Sequence, residues 1–295
     1  MKQTRHVKLI GNPISGKDAL RKIYHIQRLL EGYGADVDLF LTQAAGDAER
    51  EAAGAREQGF DRVIAAGGDG TLNEVVNGLA PSETPLAFIP LGTTNVFALE
   101  AGISFNLERA CRTALGGPAR QVTLGRAGGR FFLLMAGIGF DAEVVHRVSS
   151  PIKRRLGKAA YLWSALKVLG APIDRPLHIE LPDGSTYSGY AAVIGNSRFY
   201  AGRFLLTPGA SLFDNELEVC ILHRPGRLNL MRVLPRVLLR RRLPQSLALV
   251  LKAPRLRITG DALPVQIDGD AFGTLPLDFS AECGKLRIVF PENES

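Results

Sequence analysis

A glycine-rich motif has the clearest potential for chemistry in this sequence. Residues 67–74 read Gly-Gly-Asp-Gly-Thr-Leu-Asn-Glu and follow directly after the apolar run Val-Ile-Ala-Ala at 63–66. Glycines let the backbone turn sharply and approach a ligand closely, and a helix that starts beyond them points unpaired N–H groups at the turn. We expect Asp69 to add only a charge and its metal contact, since a carboxylate beside a phosphate cradle indicates a cation such as Mg²⁺ bound with a nucleotide. The alternative is a tight strand-to-helix turn whose glycines serve the fold alone.

A second segment repeats this arrangement of strand, polar turn and helix. Residues 86–89 form an apolar run, residues 90–95 read Pro-Leu-Gly-Thr-Thr-Asn, and an amphipathic helix is predicted from Val96. Gly92 frees the backbone, and the polar side chains after it offer hydrogen bonds and a helix N-cap. The alternative is that these residues only cap the helix, which would require the same composition. If the two strands are parallel neighbours, both turns lie at the carboxyl edge of one sheet, where open α/β sheets bind ligands.

Repeated strand and helix patterns in the first 125 residues predict the scaffold for both turns. The strand patterns cover Val7–Ile10, Val37–Leu41, Arg62–Ala66 and Leu86–Ile89, and the helix patterns cover Ala19–Gly32, Asp47–Gln58 and Leu72–Leu79. Such βα repeats are typical of a parallel sheet with helices on both faces. The sequence therefore predicts an α/β nucleotide-binding domain over residues 1–125.

The pattern changes after Gln121. Short runs that alternate or are fully apolar occur at Arg130–Ala136, Leu177–Leu181, Tyr187–Ile194 and Leu217–Leu222. These runs, with turn residues such as Pro182-Asp183-Gly184 between them, are typical of antiparallel strands. Residues 126–295 are therefore predicted to form a mainly antiparallel β-sandwich domain with one or two inserted helices. We leave open that the last residues pack back on the first domain.

Basic residues are concentrated in the second domain. The chain has a formal net charge of +7, and the segment 219–260 contains ten Lys or Arg residues and no Asp or Glu. Such a block attracts anionic surfaces, either acidic lipid headgroups or nucleic acid. Within it, residues 228–242 mix aliphatic side chains with arginines, and Pro235 predicts two short helical pieces in place of one helix. This stretch is either a membrane-docking surface or a core helix with a solvated arginine edge.

Cysteine usage and apolar runs predict a cytoplasmic protein. Cys111, Cys220 and Cys283 have neither a disulfide-framework spacing nor a metal-ligand spacing, as expected in a reducing compartment. The first residues lack the apolar core of a signal peptide, and no apolar run reaches the length needed to span a bilayer.

Two further glycine motifs match nucleotide-binding patterns less well. Residues 11–17 read Gly-Asn-Pro-Ile-Ser-Gly-Lys, but Asp18 stands where a P-loop has the Ser or Thr that binds magnesium. Residues 137–142 read Gly-Ile-Gly-Phe-Asp-Ala, but Glu143 is followed by no acidic residue until Asp174. The acid about 20 positions on that a dinucleotide fingerprint requires is therefore absent. We interpret this second motif as packing or as scaffold on the substrate side.

Taken together, the motifs resemble those of the diacylglycerol kinase catalytic-domain family. Residues 67–74 and 91–98 resemble its two glycine loops, residues 12–16 its first-strand loop, and residues 139–142 and 266–270 its later motifs. This family includes bacterial lipid kinases and sphingosine and ceramide kinases and is distantly related to NAD kinase. The resemblance, which extends from about Lys8 to about Phe290, implies a two-domain fold that binds ATP. Val96 and Asp270 depart from the family pattern, which commonly has Asp and Glu at these positions.

The resemblance also implies roles for individual residues. Transfer of a phosphoryl group to a hydroxyl requires a carboxylate that accepts the proton and a cation on the phosphates. The resemblance implies that Asp268 is this general base and that Asp270 binds magnesium or orients the base, although by pattern alone this segment is a hairpin turn. In a loop similar to the structural magnesium loop of bacterial lipid kinases, Asp214 would supply a carboxylate oxygen, and Ser211 and Glu216 would supply mainly backbone oxygens. The residues implied to bind ATP are Thr42, Gly68, Asp69, Gly70, Thr71, Leu72, Asn73, Glu74, Thr93 and Asn95.

These features predict ATP- and Mg²⁺-dependent phosphorylation of a lipid hydroxyl, with diacylglycerol, phosphatidylglycerol or a sphingoid-like alcohol as the acceptor. The expected partners are this lipid and an acidic membrane surface that the protein binds peripherally; no nucleic-acid partner is expected, and a homodimer is left open. NAD kinase remains an alternative because it shares the first glycine motif, although residues 92–98 resemble the lipid branch better. A non-catalytic, nucleotide-responsive protein that binds a membrane or nucleic acid also remains open, and it would need no base at Asp268.

Overall fold

The chain forms two compact units in a computed structural model. The structure describes residues 4–139, 142, 175–200, 202–239 and 241–292. Residues 1–123 and 283–295 belong to the first unit, and residues 124–282 belong to the second. Phe140 and Asp141 of the predicted motif at 139–142 lie outside the described residues, as does Arg240 of the basic segment.

The first unit is a parallel sheet with helices. Its strands are β1 (Arg5–Gly11), β2 (Ala35–Leu41), β3 (Arg62–Gly67), β4 (Leu86–Pro90) and the end of the last strand of the chain, β18 (Leu277–Val289). They follow one another in the order β2-β1-β3-β4-β18, and every pair is parallel. The helices are α1 (Ala19–Gly32), α2 (Asp47–Glu57), α3 (Asp69–Leu79), α4 (Val96–Ala101) and α5 (Leu107–Gly116). The α/β fold predicted from the βα repeats is confirmed.

Apolar periodicity places the core of this unit between the sheet and its helices. Every residue of β3 and β4 is buried, as expected for central strands of a parallel sheet. On α1, Ile23, Ile26 and Leu30 recur at helical spacing and pack in one buried cluster with Leu9 and Ile64 of the sheet. This packing gives the loops at the strand ends fixed starting positions.

The loops after β1, β3 and β4 begin at the same edge of the sheet. The register pairs Gly11 with Ala66 and Gly67 with Pro90, so the three strands end at one level. Helix α3 begins at Asp69, ahead of the predicted start at Leu72. The reason is that its first helical hydrogen bond runs from Leu72 N–H to Gly68 O at 3.0 Å. Part of the glycine motif is therefore the first turn of a helix.

The second unit is an antiparallel β-sandwich, as predicted. Its strands are β5 (Ala119–Ala127), which enters from the first unit, β6 (Arg130–Phe132), β7 (Met135–Ile138), β8 (Leu177–Glu180), β9 (Thr186–Gly189), β10 (Ala191–Gly195), β11 (Phe199–Tyr200), β12 (Phe204–Leu205), β13 (Leu217–Leu222), β14 (Ala248–Ala253), β15 (Arg255–Gly260), β16 (Pro264–Ile267) and β17 (Asp270–Thr274). One six-stranded sheet has the order β14-β13-β10-β7-β16-β17, and β18, β15, β8 and β9 are neighbours in another. Ile194 and Val219 of the first sheet share one buried cluster with Ile179 and Ile258 of the other.

Two of the predicted strands are each divided in two. The run Arg130–Ala136 becomes β6 and β7, because N–H groups of the turn between them bond to a carboxylate and not to a neighbouring strand. The run Tyr187–Ile194 becomes β9 and β10, which belong to different sheets, so the chain changes sheets at Tyr190. Apolar residues continue through both breaks, and periodicity alone therefore does not reveal them.

A single helix, α6 (Arg227–Leu238), replaces the two short pieces predicted around Pro235. Pro235 is exposed, so the helical hydrogen bond that it cannot donate is lost on the solvent side. On the opposite side, Val233 and Val237 are buried and pack against Phe204 and Leu206, which holds the helix together. No helix within the described ranges is long and apolar enough to cross a membrane.

Candidate active site

Three loops at the carboxyl edge of the parallel sheet are joined by direct hydrogen bonds. The loop after β1 contacts the glycine motif twice: Ser15 Oγ accepts the N–H of Gly68 at 3.0 Å, and Asn12 Nδ2 donates to Thr71 Oγ1 at 3.0 Å. The loop after β4 contacts the same motif, since Leu91 N–H donates to the carbonyl oxygen of residue 67 at 2.7 Å. The three loops therefore form one connected platform.

Glycines permit the close approach of these loops. A Cβ atom built on Gly92 would lie only 2.8 Å from Gly68 Cα. A Cβ atom on Gly67 would lie 2.6 Å from the Cβ of Thr71, again closer than real Cβ atoms approach their neighbours. Close packing between and within the loops is thus enough to require these two glycines. This is what the alternative interpretation, in which the glycines serve the fold alone, predicts. The case for a ligand depends on the polar groups around them.

The carboxylate of Asp69 bonds to the start of the neighbouring helix. Its Oδ2 accepts the N–H of Val96 at 2.9 Å, and its Oδ1 accepts the N–H of Phe97 at 3.0 Å. Burial raises the pKa of this carboxyl, and the two N–H donors act against that rise. Asp69 therefore caps α4, so its carboxylate does more than supply a charge and a metal contact. Asn95 is one of the polar residues after Gly92 that were predicted to offer an N-cap, but it makes no side-chain capping bond to this helix.

Asn95 has an uncommon backbone conformation and an orphaned polar atom. Its φ of 47° lies in the left-handed region, which costs a residue other than glycine some strain. Its Nδ2 donates to Gly92 O at 2.7 Å, whereas its Oδ1 is buried and has no hydrogen-bond partner among the described residues. Buried polar atoms are nearly always paired. A ligand or water molecule that donates to Oδ1 would complete this side chain.

The first turn of α3 offers backbone N–H groups to an anion. The amides of Asp69, Gly70 and Thr71 precede the first helical hydrogen bond, which Leu72 donates. The N–H of Gly68 is bonded to a serine hydroxyl. The backbone N–H groups that could bind an anion at the predicted site are therefore those of residues 69–71, at the positive end of the helix dipole.

The other residues predicted to bind ATP differ in accessibility. Thr93 is exposed in the loop after β4, and Thr42 is buried at the end of β2. Leu72 and Asn73 are buried in α3, and Glu74 Oε2 accepts a backbone N–H at the start of α2 at 3.3 Å. The side chains of Leu72 and Glu74 thus pack α3 in place, whereas Thr93 faces solvent.

In the second unit, Asp268 occupies a tight hairpin between β16 and β17. Its φ is 48° and that of Gly269 is 90°, values typical of the type I′ turn that Asp-Gly favours. Its carboxylate accepts three backbone N–H bonds of 2.9 Å, from Leu133 to Oδ2 and from Leu134 and Met135 to Oδ1. The predicted hairpin is confirmed, and the candidate base is held in one position by the β6–β7 turn.

The loop before β13 places its acidic residues beside a lysine. Lys252 Nζ lies 2.6 Å from Asp214 Oδ2; this bond raises the pKa of the lysine, and the charges of Glu218 and Glu216 add to the rise. An ammonium thus occupies the position beside Asp214 where the resemblance implies a cation. In the part of the chain that the structure describes, no group of three or more His, Cys, Asp or Glu side chains could hold a metal ion. A cation here would therefore need backbone oxygens as well, as the resemblance implies for Ser211 and Glu216.

The hairpin of Asp268 and the loop of Asp214 lie at one edge of the six-stranded sheet. Because neighbouring strands are antiparallel, the ends of β16 and β10 and the starts of β7 and β13 meet at this edge. Strands β10 and β7 separate the hairpin from the loop. Asp270 is exposed at the start of β17 beside Asp268. Ser211, Asp214 and Glu216 lie along the same edge of the sheet, in the loop before β13.

The sequence did not assign roles to the residues that hold these sites together. Asn12 and Ser15 belong to the segment 12–16 that resembles the first-strand loop of the family, and they follow a buried strand as the residues of the other two loops do. The turn at 133–135 has no signal in the sequence, because its side chains are apolar and it acts through backbone N–H groups.

Comparison with known proteins is consistent with this geometry. Residues 6–127 match the diacylglycerol kinase catalytic domain, and residues 135–290 match the YegS C-terminal NAD kinase β-sandwich-like domain. A diacylglycerol kinase of Bacillus subtilis (strain 168) is 32% identical over 303 residues, which cover 99% of this chain and 98% of the relative. A crystal structure of a diacylglycerol kinase from Bacillus anthracis has a TM-score of 0.81 at 25% identity, with 99% of both chains covered.

The same fold also occurs in an NAD kinase. The crystal structure of the enzyme from Archaeoglobus fulgidus in complex with ATP has a TM-score of 0.52 at 14% identity, with 98% of this chain and 94% of that chain covered. The architecture therefore defines a kinase fold common to diacylglycerol and NAD kinases. The chain belongs to the diacylglycerol kinase family, and it is a lipid kinase. The family indicated by the motifs is confirmed.

Replacing Asp69 by Ala should destabilise the first unit in addition to removing a charge. The change leaves the N–H groups of Val96 and Phe97 without their acceptor, and a buried unpaired donor costs about 1–3 kcal/mol. We expect the free energy of unfolding, measured by urea titration, to fall by about 2 kcal/mol or more. Glu57→Ala removes an exposed charge of the same unit and should change it by less than about 0.5 kcal/mol. Equal unfolding energies for both variants would contradict the capping role.

Proposed function

We propose that this lipid kinase transfers the γ-phosphate of ATP to the hydroxyl of a lipid such as diacylglycerol and requires Mg²⁺. The observation that carries the proposal is the platform of three loops, which holds the amides of 69–71 ahead of the first helical hydrogen bond of α3 and holds Asn95 Oδ1, which has no partner among the described residues. Amides at a helix N-terminus bind phosphate, and a buried acceptor selects a ligand that donates a hydrogen bond. A nucleotide offers both groups.

On this proposal, each part of the platform has its own task. The amides of Asp69, Gly70 and Thr71 would hold phosphate oxygens, and Asn95 Oδ1 would accept a hydrogen bond from the sugar or base. Exposed Thr93 and the strand end at Thr42 would contact the rest of the nucleotide. Asn73 and Glu74 would keep α3 in place. Mg²⁺ bound with the phosphates would neutralise their charge.

Asp268 would accept the proton of the lipid hydroxyl. A general base must lie within hydrogen-bond reach of the proton that it takes, so its position matters as much as its charge. The three N–H bonds from the β6–β7 turn fix both oxygens of this carboxylate. Asp270, exposed beside it, would orient the base or help to bind magnesium. Its side chain is one methylene shorter than the Glu that is common in the family.

Incubation with labelled ATP and a panel of lipids, with and without Mg²⁺, tests the proposal. We expect label in a lipid product only when Mg²⁺ is present. Asp268→Asn should lower kcat by about 10²–10⁴-fold, the usual contribution of a positioned base, while KM for ATP changes little. Asp261→Asn, which alters an exposed acid of the same unit, should keep the wild-type kcat.

Other outcomes of this assay would favour the alternatives. Label transferred to NAD and to no lipid would identify an NAD kinase. The observation that supports this alternative is the shared fold. ATP binding without any labelled product would favour the non-catalytic, nucleotide-responsive protein.

We also propose that Ser211, Asp214 and Glu216 bind a divalent cation through oxygen atoms, in competition with Lys252. Oxygen ligands suit Mg²⁺ or Ca²⁺, but the ammonium at 2.6 Å from Asp214 must leave for the metal to bind. Lys252→Met removes this competitor and keeps most of the aliphatic stem. Titration with Mg²⁺ in the absence of ATP, followed by thermal unfolding, should therefore give a larger rise of Tm in Lys252→Met than in the wild type. The rise should be lost in Asp214→Asn; a rise that survives in Asp214→Asn would contradict the site.

The outer face of α6 has the composition of a membrane-docking surface. Met231 is 62% exposed, and Leu239, which directly follows the helix, is 66% exposed; Arg232 and Arg236, one helical turn apart, are exposed between them. Apolar side chains enter the headgroup region while arginines meet anionic lipid. We propose that this face binds the acidic cytoplasmic leaflet peripherally, where an insoluble lipid substrate is found.

Flotation with vesicles tests this docking surface. The protein should bind vesicles that contain acidic lipid, and less so as salt rises, because salt screens the charges. Each arginine near an anionic leaflet contributes about 1 kcal/mol, so the double variant Arg232→Gln/Arg236→Gln should bind roughly 30-fold more weakly. The matched control Arg21→Gln/Arg28→Gln changes two exposed arginines of α1 and should bind as the wild type does.

Equal binding to neutral and acidic vesicles, or none to either, would contradict electrostatic docking. Salt-sensitive binding to RNA or DNA in place of vesicles would show that the basic surface serves a nucleic acid.

A further inference from the structure

The turn that holds Asp268 is itself held from its other side. Asn196, which follows β10, is fully buried. Its Nδ2 donates to Leu133 O at 2.9 Å, and its backbone N–H donates to Leu134 O at 2.9 Å. The N–H of Ser197 donates to the oxygen of Leu134 as well, at 3.1 Å. The β6–β7 turn therefore lies between Asn196 and the candidate base.

Two peptide groups connect these residues. The peptide group between Leu133 and Leu134 accepts from Asn196 through its C=O and donates to Asp268 through its N–H. The next peptide group, between Leu134 and Met135, does the same. A peptide group is planar, and its C=O and N–H point in opposite directions. Fixing the oxygen on one side therefore fixes the direction of the N–H on the other.

We propose that Asn196 is a positioning residue for Asp268 and acts through these two peptide groups. It holds the carbonyl oxygens so that both N–H groups stay directed at Oδ1 of the carboxylate. Hydrogen bonds in such a chain also polarise one another, which strengthens the bonds to the base. This inference rests on the proposed role of Asp268 as the general base. Asn196 is connected to Asp268 through these two peptide groups, and its effect on turnover should therefore depend on the base.

The chain offers a matched control for the packing role of a buried asparagine. Asn229 is also buried, and its Nδ2 donates to a backbone oxygen, that of Arg224, at 3.0 Å. Asn229→Ala and Asn196→Ala therefore remove the same kind of hydrogen bond from the same unit. Only the bond made by Asn196 leads to Asp268.

The test combines kinetics with a double-mutant cycle. We expect Asn196→Ala to lower kcat about tenfold, less than the about 10²-fold that a 1 Å misplacement costs, because its backbone N–H remains. KM for ATP should stay within about twofold. Asn229→Ala, assayed with a water-soluble short-chain lipid so that docking by α6 plays no part, should keep the wild-type kcat. In the Asp268→Asn background, Asn196→Ala should lower kcat no further. Equal losses of kcat in Asn196→Ala and Asn229→Ala, or an additive cycle, would overturn the positioning role.

Amide hydrogen exchange at Leu134 and Met135 gives a readout that does not depend on activity. Exchange at both amides should be faster in Asn196→Ala than in the wild type and unchanged in Asn229→Ala. Faster exchange with a wild-type kcat would overturn the positioning role and leave the proposed function intact. A wild-type kcat in Asp268→Asn would instead show that Asp268 is not the general base, which would contradict the proposed function.

A second variant covers the case in which Asn196→Ala does not fold. Asn196→Asp keeps the shape of the side chain and replaces the Nδ2 donor by an oxygen that repels Leu133 O. A loss of kcat with unchanged KM for ATP in this variant would support the positioning role. A wild-type kcat in this variant would overturn it.

Discussion

The loops of the first unit depend on one half-buried carboxylate. Asp69 lies in the first turn of α3, and its two oxygens accept the first N–H groups of α4, so the start of one helix is tied to the start of the other. The two loops come close enough for these bonds because Gly68 and Gly92 meet without Cβ atoms. In a desolvated place such bonds are strong when made and costly when lost. The amides at the start of α3 and the side chain of Asn95 keep their positions because this contact does.

The second unit uses the same device around Asp268. There too, both oxygens of a carboxylate accept backbone N–H groups of a neighbouring segment, and a tight turn with positive φ brings the acid to them. Both acids therefore have a structural role, and for Asp268 it stands beside the role of general base proposed for its carboxylate. Loss of activity on replacing either residue does not by itself show which role was lost. Stability and turnover have to be measured on the same variants.

Much of the fold followed from apolar periodicity and turn residues. The bounds of α1 and β13 agree with the patterns that predicted them, and the order of βα units predicted the parallel sheet. The errors occur where a tertiary contact competes with a local rule. Pro235 stays inside a helix because the opposite face of α6 is packed, and the run at 130–136 is broken because its N–H groups bond to Asp268. Neither contact has a local signature.

The candidate site shows the same division. The sequence by itself determined which residue types follow the strands and where glycines and acids stand, because turn chemistry and helix capping are local. It placed Asp268 in an Asp-Gly hairpin for that reason. Only the tertiary structure decided which partner each polar group takes: Asp69 caps α4, Asp214 pairs with Lys252, and Asn95 Oδ1 remains without a partner among the described residues. These partners come from loops distant in sequence, and they are brought together by sheet register and packing, which no local pattern encodes.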